Sequence, residues 1–502
     1  LKEKEAVQAR IQVDFSAVGE PISRNIYGHF AEHLGSCIYG GMWVGEEGEL
    51  AQAGLKTLRG WRLEVIELVR ALSPPLIRWP GGCFSEYYHW EDGIGPRQER
   101  PMRMDWFWKK PEPNWVGTHE FIDFCRLVGA EPLLVANVRT GSPEEAAAWV
   151  EYCNCPMERP QGRRRAQNGH PEPFGMKYWG IGNETWEVPA EESAKRQIEF
   201  AKAMKEVDPS IRVVAVGGYP PNLAEWNRVM LRVAGEHLDY IAPHHYDGVA
   251  IRPGEEETLH YANQLSAERI VETARRTAEQ LDELLPQRPE TGIGFDEWGI
   301  WTEHNQGIQQ NFNLSDGLVV AGVLNGFQRI GRRMQIACWA QLVNCLGMIQ
   351  ADARAACATP VYEVFRLYSN LCGSNLAENA VEPPNVEVRE KSGTVSLPLL
   401  DASATTSPDS DQAALVMINR SYKQEMEVTL ELTGLRQKDR PISLYLLEGP
   451  SVSALNEPGK PPGVWVREEN LSALPEALTL PAHSLSLLAV GRRLSPVSPA
   501  LI

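Results

Sequence analysis

The 502-residue chain has no run of about 18 apolar residues, so nothing in it reads as a membrane-spanning helix. It has no surplus of positive charge. Its 49 Lys and Arg stand against 66 Asp and Glu, a formal net charge of -17. A nucleic-acid or anionic-membrane partner needs a broad basic field, so neither is expected. A disulfide framework is lacking too. The nine cysteines are an odd number: Cys37, Cys83, Cys125, Cys153, Cys155, Cys338, Cys345, Cys357 and Cys372. Several sit in apolar runs, as reduced thiols of a cytosolic protein do. Cys153 and Cys155 form C-x-C with no second pair at zinc spacing, so no metal is expected. The charged start, residues 1–5, is followed by no apolar segment, and no secretory signal is expected there. No G-x-G-x-x-G follows the first strand-like run, which weighs against an open dinucleotide-binding sheet. There is no internal repeat and no low-complexity tract.

What is present is ordinary for a globular protein: 43% hydrophobic and 23% charged residues. The length exceeds one usual domain, so two are expected. Residues 10–16 alternate like a single strand. Eight strand-like runs then appear, at 25–33, 76–82, 131–138, 176–184, 212–218, 238–246, 291–298 and 334–344. Amphipathic helical segments lie among them, for example at 62–72, 192–206, 265–285 and 315–330. Eight strand–helix units predict a (β/α)₈ TIM barrel over residues 21–372. From 373 to 502 the text changes to short alternating runs, at 395–400, 413–419, 426–432, 442–447 and 484–490. Clusters of Pro, Ser, Asp and Gly separate them. This predicts an all-β, jelly-roll-like sandwich, and residues 1–20 are expected to supply it with a strand.

A barrel of this kind carries its chemistry at the C-terminal ends of its strands. Those ends hold Glu32 and His33, Arg78 and Cys83, Asn137 and Arg139, Asn183 and Glu184, His244 to Tyr246, Glu297 and Trp298, and Gln341 and Asn344. Glycoside hydrolysis needs two carboxyl groups flanking the scissile bond. Strands four and seven face one another across the mouth, so Glu184 and Glu297 are the expected pair. Glu184 follows an apolar strand and a neutral Asn183, which suits an acid that keeps its proton. Arg78 is the expected cation beside Glu297, and Asn183 can donate to the sugar hydroxyl next to the anomeric carbon. Strand alternation turns Asp296 to the opposite face. His244, His245 and Asp247 have no clear third ligand among them and read as substrate-orienting residues together with Tyr246. The aromatic loop 90–115, with Trp106, Phe107 and Trp108, can stack on sugars or anchor itself. Arg163, Arg164 and Arg165 read as a solvated face at the far end of the barrel.

Several longer stretches stand out: Tyr-Gly-His-Phe-Ala-Glu-His-Leu-Gly at 27–35, Arg-Trp-Pro-Gly-Gly-Cys-Phe at 78–84 and His-Trp-Glu-Asp-Gly-Ile-Gly-Pro at 89–96. To these add Gly-Ile-Gly-Asn-Glu at 180–184, Asp-Glu-Trp at 296–298 and Ala-Gln-Leu-Val-Asn at 340–344. Together they resemble glycoside hydrolase family 51, the intracellular α-L-arabinofuranosidases. The resemblance spans nearly the whole chain. It implies a retaining double displacement with Glu184 as acid/base and Glu297 as nucleophile. It further implies that Glu32 binds furanose hydroxyls, that Asn183, Tyr246 and Trp298 line the same subsite, and that Trp108 closes it. It implies arabinofuranoside oligosaccharides as substrate, no cofactor, and a homo-hexamer. Cys83 stands where some members have Asn. The stretch 185–189 lacks a glycine-rich segment, and the loop after Tyr246 looks short; both bear on the leaving-group side. Other readings are an endo-β-1,4-glucanase or xylanase on the same barrel, a carbohydrate-binding protein without catalysis, and a metal-dependent barrel hydrolase.

Overall fold

The structure is a computed structural model that describes residues 7–302, 308–390, 393–435 and 440–495. The charged start at 1–5 lies outside these residues. Eight parallel strand positions close into a barrel. They are Gly28–Phe30, Leu76–Trp79, Glu131–Ala136, Tyr178–Ile181, Arg212–Val216, Tyr240–Ala242 continued by His244–Asp247, Gly292–Ile300 and Met334–Ala340. The last pairs with the first, and the sixth pairs with both fifth and seventh, so no edge is left open. Pro243, which has no N–H to donate, splits the sixth strand in two.

Helices cover the outside, and their starts are written in the sequence. Ser142 accepts from Glu145 N ahead of Pro143–Asn154, Thr359 accepts from Tyr362 N ahead of Pro360–Leu371, and Asn313 with Asp316 forms a reciprocal cap for Leu314–Ile330. The long helix Glu256–Leu284 begins nine residues before the expected 265. Its first turns were illegible because they bury polar groups: His260, Asn263 and Gln264 are all inaccessible and bonded to Ser315. The barrel interior is filled low down by Phe30, Leu76, Leu133, Val135, Val214, Ile336 and Cys338. Polar side chains are left to the top.

The second sheet has nine strands, ordered Trp465–Leu471, Ile442–Glu448, Ser484–Val490, Ala413–Asn419, Leu400–Thr406, Asn375–Glu382, Val7–Pro21, Met426–Thr433 and Ala477–Leu480. Its middle strands are buried on both faces. Ala413, Leu415 and Met417 join the core of the second sheet, whereas Ala414, Val416 and Ile418 join the core that runs under the barrel helices. This explains why 413–419 reads as a continuous apolar run. Trp465–Leu471 has exposed charged residues throughout and gave no apolar signal. The expected run 395–400 is two pieces, the hairpin strand Gly393–Pro398 and the start of Leu400–Thr406. Val7–Pro21 pairs antiparallel with Asn375–Glu382 and parallel with Met426–Thr433.

The triplet at 163–165 corrects the expected solvated face. Arg163 is exposed, but Arg165 is fully buried in helix Pro160–Gln167. Its guanidinium donates to the carbonyls of Tyr152, Cys155, His170 and Pro171, closing the end of the preceding helix.

Ile11 is wholly buried where the N-terminal strand meets the second sheet. Ile11→Ala is expected to cost about 2–5 kcal/mol, read as an earlier denaturant midpoint. A cost under about 0.5 kcal/mol, the range of surface substitutions, would contradict the strand's place in that core.

Candidate active site

Arg78, on the second strand, is fully buried with its guanidinium over the Phe30 ring, 4.6 Å from the centroid. Nη1 donates to Glu297 Oε2 at 2.8 Å, Nη2 donates to Asn183 Oδ1 at 2.7 Å, and Nε lies 3.0 Å from Asp296 Oδ2. Burial disfavours its charge, but the Asp296 and Glu297 carboxylates outweigh that and raise its pKa further. With Asn183 Oδ1 taken by Arg78, its NH₂ is turned away from the guanidinium and lies 3.8 Å from Cys83 Sγ.

Strand seven brings both of its acids to this guanidinium by breaking its own alternation. Phe295 and Trp298 both pack on Phe327 of the covering helix, at ring centroids of 5.6 and 5.3 Å. Their partners on strand eight are Ala337 and Trp339, so three steps on one strand match two on the other. The extra residue is a β-bulge. Asp296 and Glu297, caught between two outward anchors, both turn inward. Asp296 is therefore not on the opposite face, as strict alternation predicts.

His244 joins the two sides. Nδ1 lies 2.9 Å from Glu184 Oε1 and Nε2 lies 3.1 Å from Asp296 Oδ1. Burial opposes its charge, but the field of Glu297 and the bonds to Asp296 and Glu184 overcome this and push it up to about 10. Glu184 is held above the usual carboxylate range by burial and then by the charge of Glu297, with His244 pulling the other way. One oxygen each of Glu184 and Glu297 and one nitrogen of His244 lie within 4.8 Å of one another, a spacing that a metal could bridge. A His244 imidazolium has no lone pair for a metal, since both nitrogens donate. His245 and Asp247 are not part of the cluster. His245 Nδ1 meets Thr273 Oγ1 at 2.9 Å, and Asp247 is paired with Arg269 on the outer helix.

The other side of the cleft is built on Glu32. Its Oε2 accepts from Gln341 Nε2 at 3.0 Å, and its Oε1 accepts from Phe84 N at 3.0 Å and Trp108 Nε1 at 3.2 Å. Burial, then the charge of Glu297, raises it to about 7. Tyr246 donates its hydroxyl to Glu297 Oε1 at 2.9 Å. Cys83 Sγ stands 3.9 Å from Glu184 Oε2. Beyond Glu184 a cavity of about 430 Å³ opens, lined by Trp186, Tyr219, Pro220, Pro221 and Tyr246 among others.

The structure thus gathers Glu32, Arg78, Cys83, Trp108, Asn183, Glu184, His244, Tyr246 and Glu297 at one mouth. Trp298 is the exception and is corrected: it is fully buried, edge-on to Trp339 at 5.2 Å, in the layer between barrel and helices. The half-buried indole next to the cleft is Trp301, whose ring meets Tyr246 at 5.7 Å. Counting by twos from Glu297 reaches 299 and 301, not 298, so the signal was there. Asn344 turns away to bond Ser36. Gln341, by contrast, belongs to the site through Glu32.

Comparison with known proteins agrees with this geometry. Residues 68–250 match the model of an α-L-arabinofuranosidase domain, and residues 296–484 match that of an α-L-arabinofuranosidase C-terminal domain. A probable α-L-arabinofuranosidase C of Aspergillus fumigatus is 33% identical over 93% of this chain and 94% of its own length. An intracellular exo-α-L-arabinofuranosidase of Bacteroides ovatus is 29% identical over 86% of this chain and 85% of its own. The solved family 51 α-L-arabinofuranosidase of Thermotoga petrophila superposes with a TM-score of 0.86 at 35% identity, covering 96% of this chain and 99% of that one. The Thermotoga maritima α-L-arabinofuranosidase, solved with arabinose, gives 0.84 at 36% identity, with 96% and 99% covered. With its barrel, its strand-end acids and these relatives over nearly its full length, the chain belongs to the α-L-arabinofuranosidases of glycoside hydrolase family 51.

Proposed function

We propose that the chain releases terminal α-L-arabinofuranose, with retention, from arabino-oligosaccharides and arabinose-substituted hemicellulose fragments. The carboxylate spacing carries this reading. Oxygens of Glu184 and Glu297 lie within 4.8 Å, close to the roughly 5–5.5 Å of retaining glycosidases and short of the about 6.5–9.5 Å that leaves room for an inverting water. Glu297 attacks the anomeric carbon while Glu184 gives its proton to the departing glycosidic oxygen. The product of this step is a glycosyl ester on Glu297. Glu184, now a carboxylate, takes a proton from a water whose oxygen attacks the same carbon. The ester bond breaks, Glu297 is restored, and Glu184 is again an acid.

The surroundings fit these roles. Arg78 and Tyr246 hold one oxygen each of Glu297 and orient it for attack. Arg78 also fixes the Asn183 amide, leaving its NH₂ for the hydroxyl beside the reacting carbon. Glu32, braced by Gln341 and Trp108, accepts from other ring hydroxyls. The Glu32–Trp108 link closes the end of the pocket, which suits removal of one terminal residue. The cavity beside Trp186 and Tyr219 takes the leaving group. All nine cysteines are free, which supports a reducing, cytoplasmic setting. A homo-hexamer follows from the family resemblance, and sedimentation as a six-copy particle checks it.

Glu297→Ala is expected to abolish release of arabinose from an aryl α-L-arabinofuranoside, and the unsubstituted protein is expected to give the α-anomer first by NMR. Activity confined to a soluble glucan, or a β-anomer product, would overturn the proposal. His244→Gln removes the cation that lowers the Glu184 pKa. The alkaline limb of kcat/KM, where Glu184 loses its proton, should move to higher pH. A limb that stays put or moves down would exclude this electrostatic role.

A further inference from the structure

Glu184 has a left-handed backbone, with φ of 44°. A side chain other than glycine or asparagine pays roughly 1–2 kcal/mol for that conformation, so its neighbours must impose it. The flanking contacts are specific. Gly182, at φ of 75°, donates its N–H to Ala136 O at 3.0 Å. Asn183 donates its N–H to Glu86 Oε1 at 3.0 Å. Past Glu184, Trp186 N returns to Glu184 O at 2.7 Å, and Arg139 Nη2 pairs with Glu187 Oε1 at 2.5 Å. Arg139 Nε in turn lies 3.7 Å from Glu86 Oε2.

Glu86 is the unusual member. It is 2% exposed, sits on the short turn Cys83–Tyr87, and touches neither Glu184 nor Glu297 by any hydrogen bond or ion pair. Oε2 is buried without a hydrogen-bond partner, and the residue lines a cavity of about 120 Å³ together with Arg139, Glu187, Glu192 and Arg196. Burying a carboxyl without full hydrogen bonding is costly. An apolar residue would fill the space with less cost, yet would leave the Asn183 N–H without an acceptor. Nothing in the reaction outlined above uses Glu86.

We propose that Glu86 is the positioning residue of the proton donor: it fixes the Asn183 amide on one side while Arg139 and Glu187 fix the other, and so aims the Glu184 carboxyl at the leaving oxygen. This rests on the reading of Glu184 as acid/base. Burial pushes the Glu86 carboxyl up to about 8, against the pull of Asn183 N–H and Arg139. At neutral pH it therefore carries a proton for the most part, and a carboxamide reproduces both its charge and its acceptor.

The test measures kcat and KM of Glu86→Gln and Glu86→Leu on aryl α-L-arabinofuranosides of graded leaving-group acidity, beside Glu184→Ala. The quantity kcat/KM reports only the transfer to Glu297, where Glu184 acts as an acid, so there a misaimed carboxyl costs rate only where protonation is needed. Glu86→Leu should lose about 100-fold in kcat/KM on the poorest leaving group and little in kcat/KM on dinitrophenyl arabinofuranoside. Glu86→Gln should stay near the unsubstituted protein. Equal losses across leaving groups, or Gln as damaging as Leu, would overturn the proposal. If Glu184→Ala shows leaving-group dependence and Glu86→Leu does not, only the role of Glu86 falls. If Glu184→Ala shows none, the acid/base reading falls with it. Should Glu86→Leu not fold, Glu86→Asp draws the acceptor back by one methylene and is expected to show the same dependence in milder form.

Discussion

A guanidinium without access to water lies at the centre of this molecule. Moving such a charge out of solvent costs several kcal/mol, recovered only if partners of the right sign and geometry surround it. Arg78 has them on three sides: Glu297, Asn183 and Asp296. Asp296 and Glu297 come from strand seven and Asn183 from the end of strand four, so the cation fixes strands four and seven relative to strand two. The same contacts orient Glu297, point the amide of Asn183 and keep Asp296 ionised below the usual carboxylate range despite its burial. Asp296 then holds His244, and His244 reaches Glu184. The electrostatics of Glu184 and Glu297 are thus joined through one connected set of charges. Removing any member leaves the others buried and unbalanced.

That set also explains how two glutamates at similar strand ends can differ. Glu297 has a guanidinium and a phenol on its oxygens. Glu184 has only the shared imidazolium and a thiol at the edge of hydrogen-bond reach, and it looks onto the open side of the cleft. Burial and the neighbouring negative charge favour its neutral form. The difference follows from which strand each acid ends, because the barrel assigns the neighbours.

Much of this was legible in the sequence. The eight strand runs, the acids at the ends of strands four and seven, and Arg78 beside the second could all be read from periodicity and from charge in apolar settings. The rest was hidden for physical reasons. Alternation places Asp296 outward, and only pairing with strand eight reveals the extra residue that turns it in. Trp298 sits beside Glu297 in sequence, yet faces the helices. Arg165 looks solvated within an arginine triplet, but its targets are backbone carbonyls, which leave no trace in side-chain chemistry. Glu86 lies in a turn with no periodicity, and its partner is again a main-chain group. Side chains that act on backbone are the class that a reading of residue types misses.

The double-faced burial of the second sheet has an implication for how such proteins evolve. Ala414, Val416, Ile418, Leu485 and Leu487 are shared with the shell of the barrel, and the opposite face of the same strands closes on residues from the very start of the chain. A module that recombines freely between enzymes needs a surface that is complete when it stands alone. This sheet has none: cut away, it would present an apolar face to water, and so would the barrel it leaves. A gene rearrangement that separates the two halves must therefore find new cover for both faces. Changes in the loops around the cleft and at its rim carry no such cost.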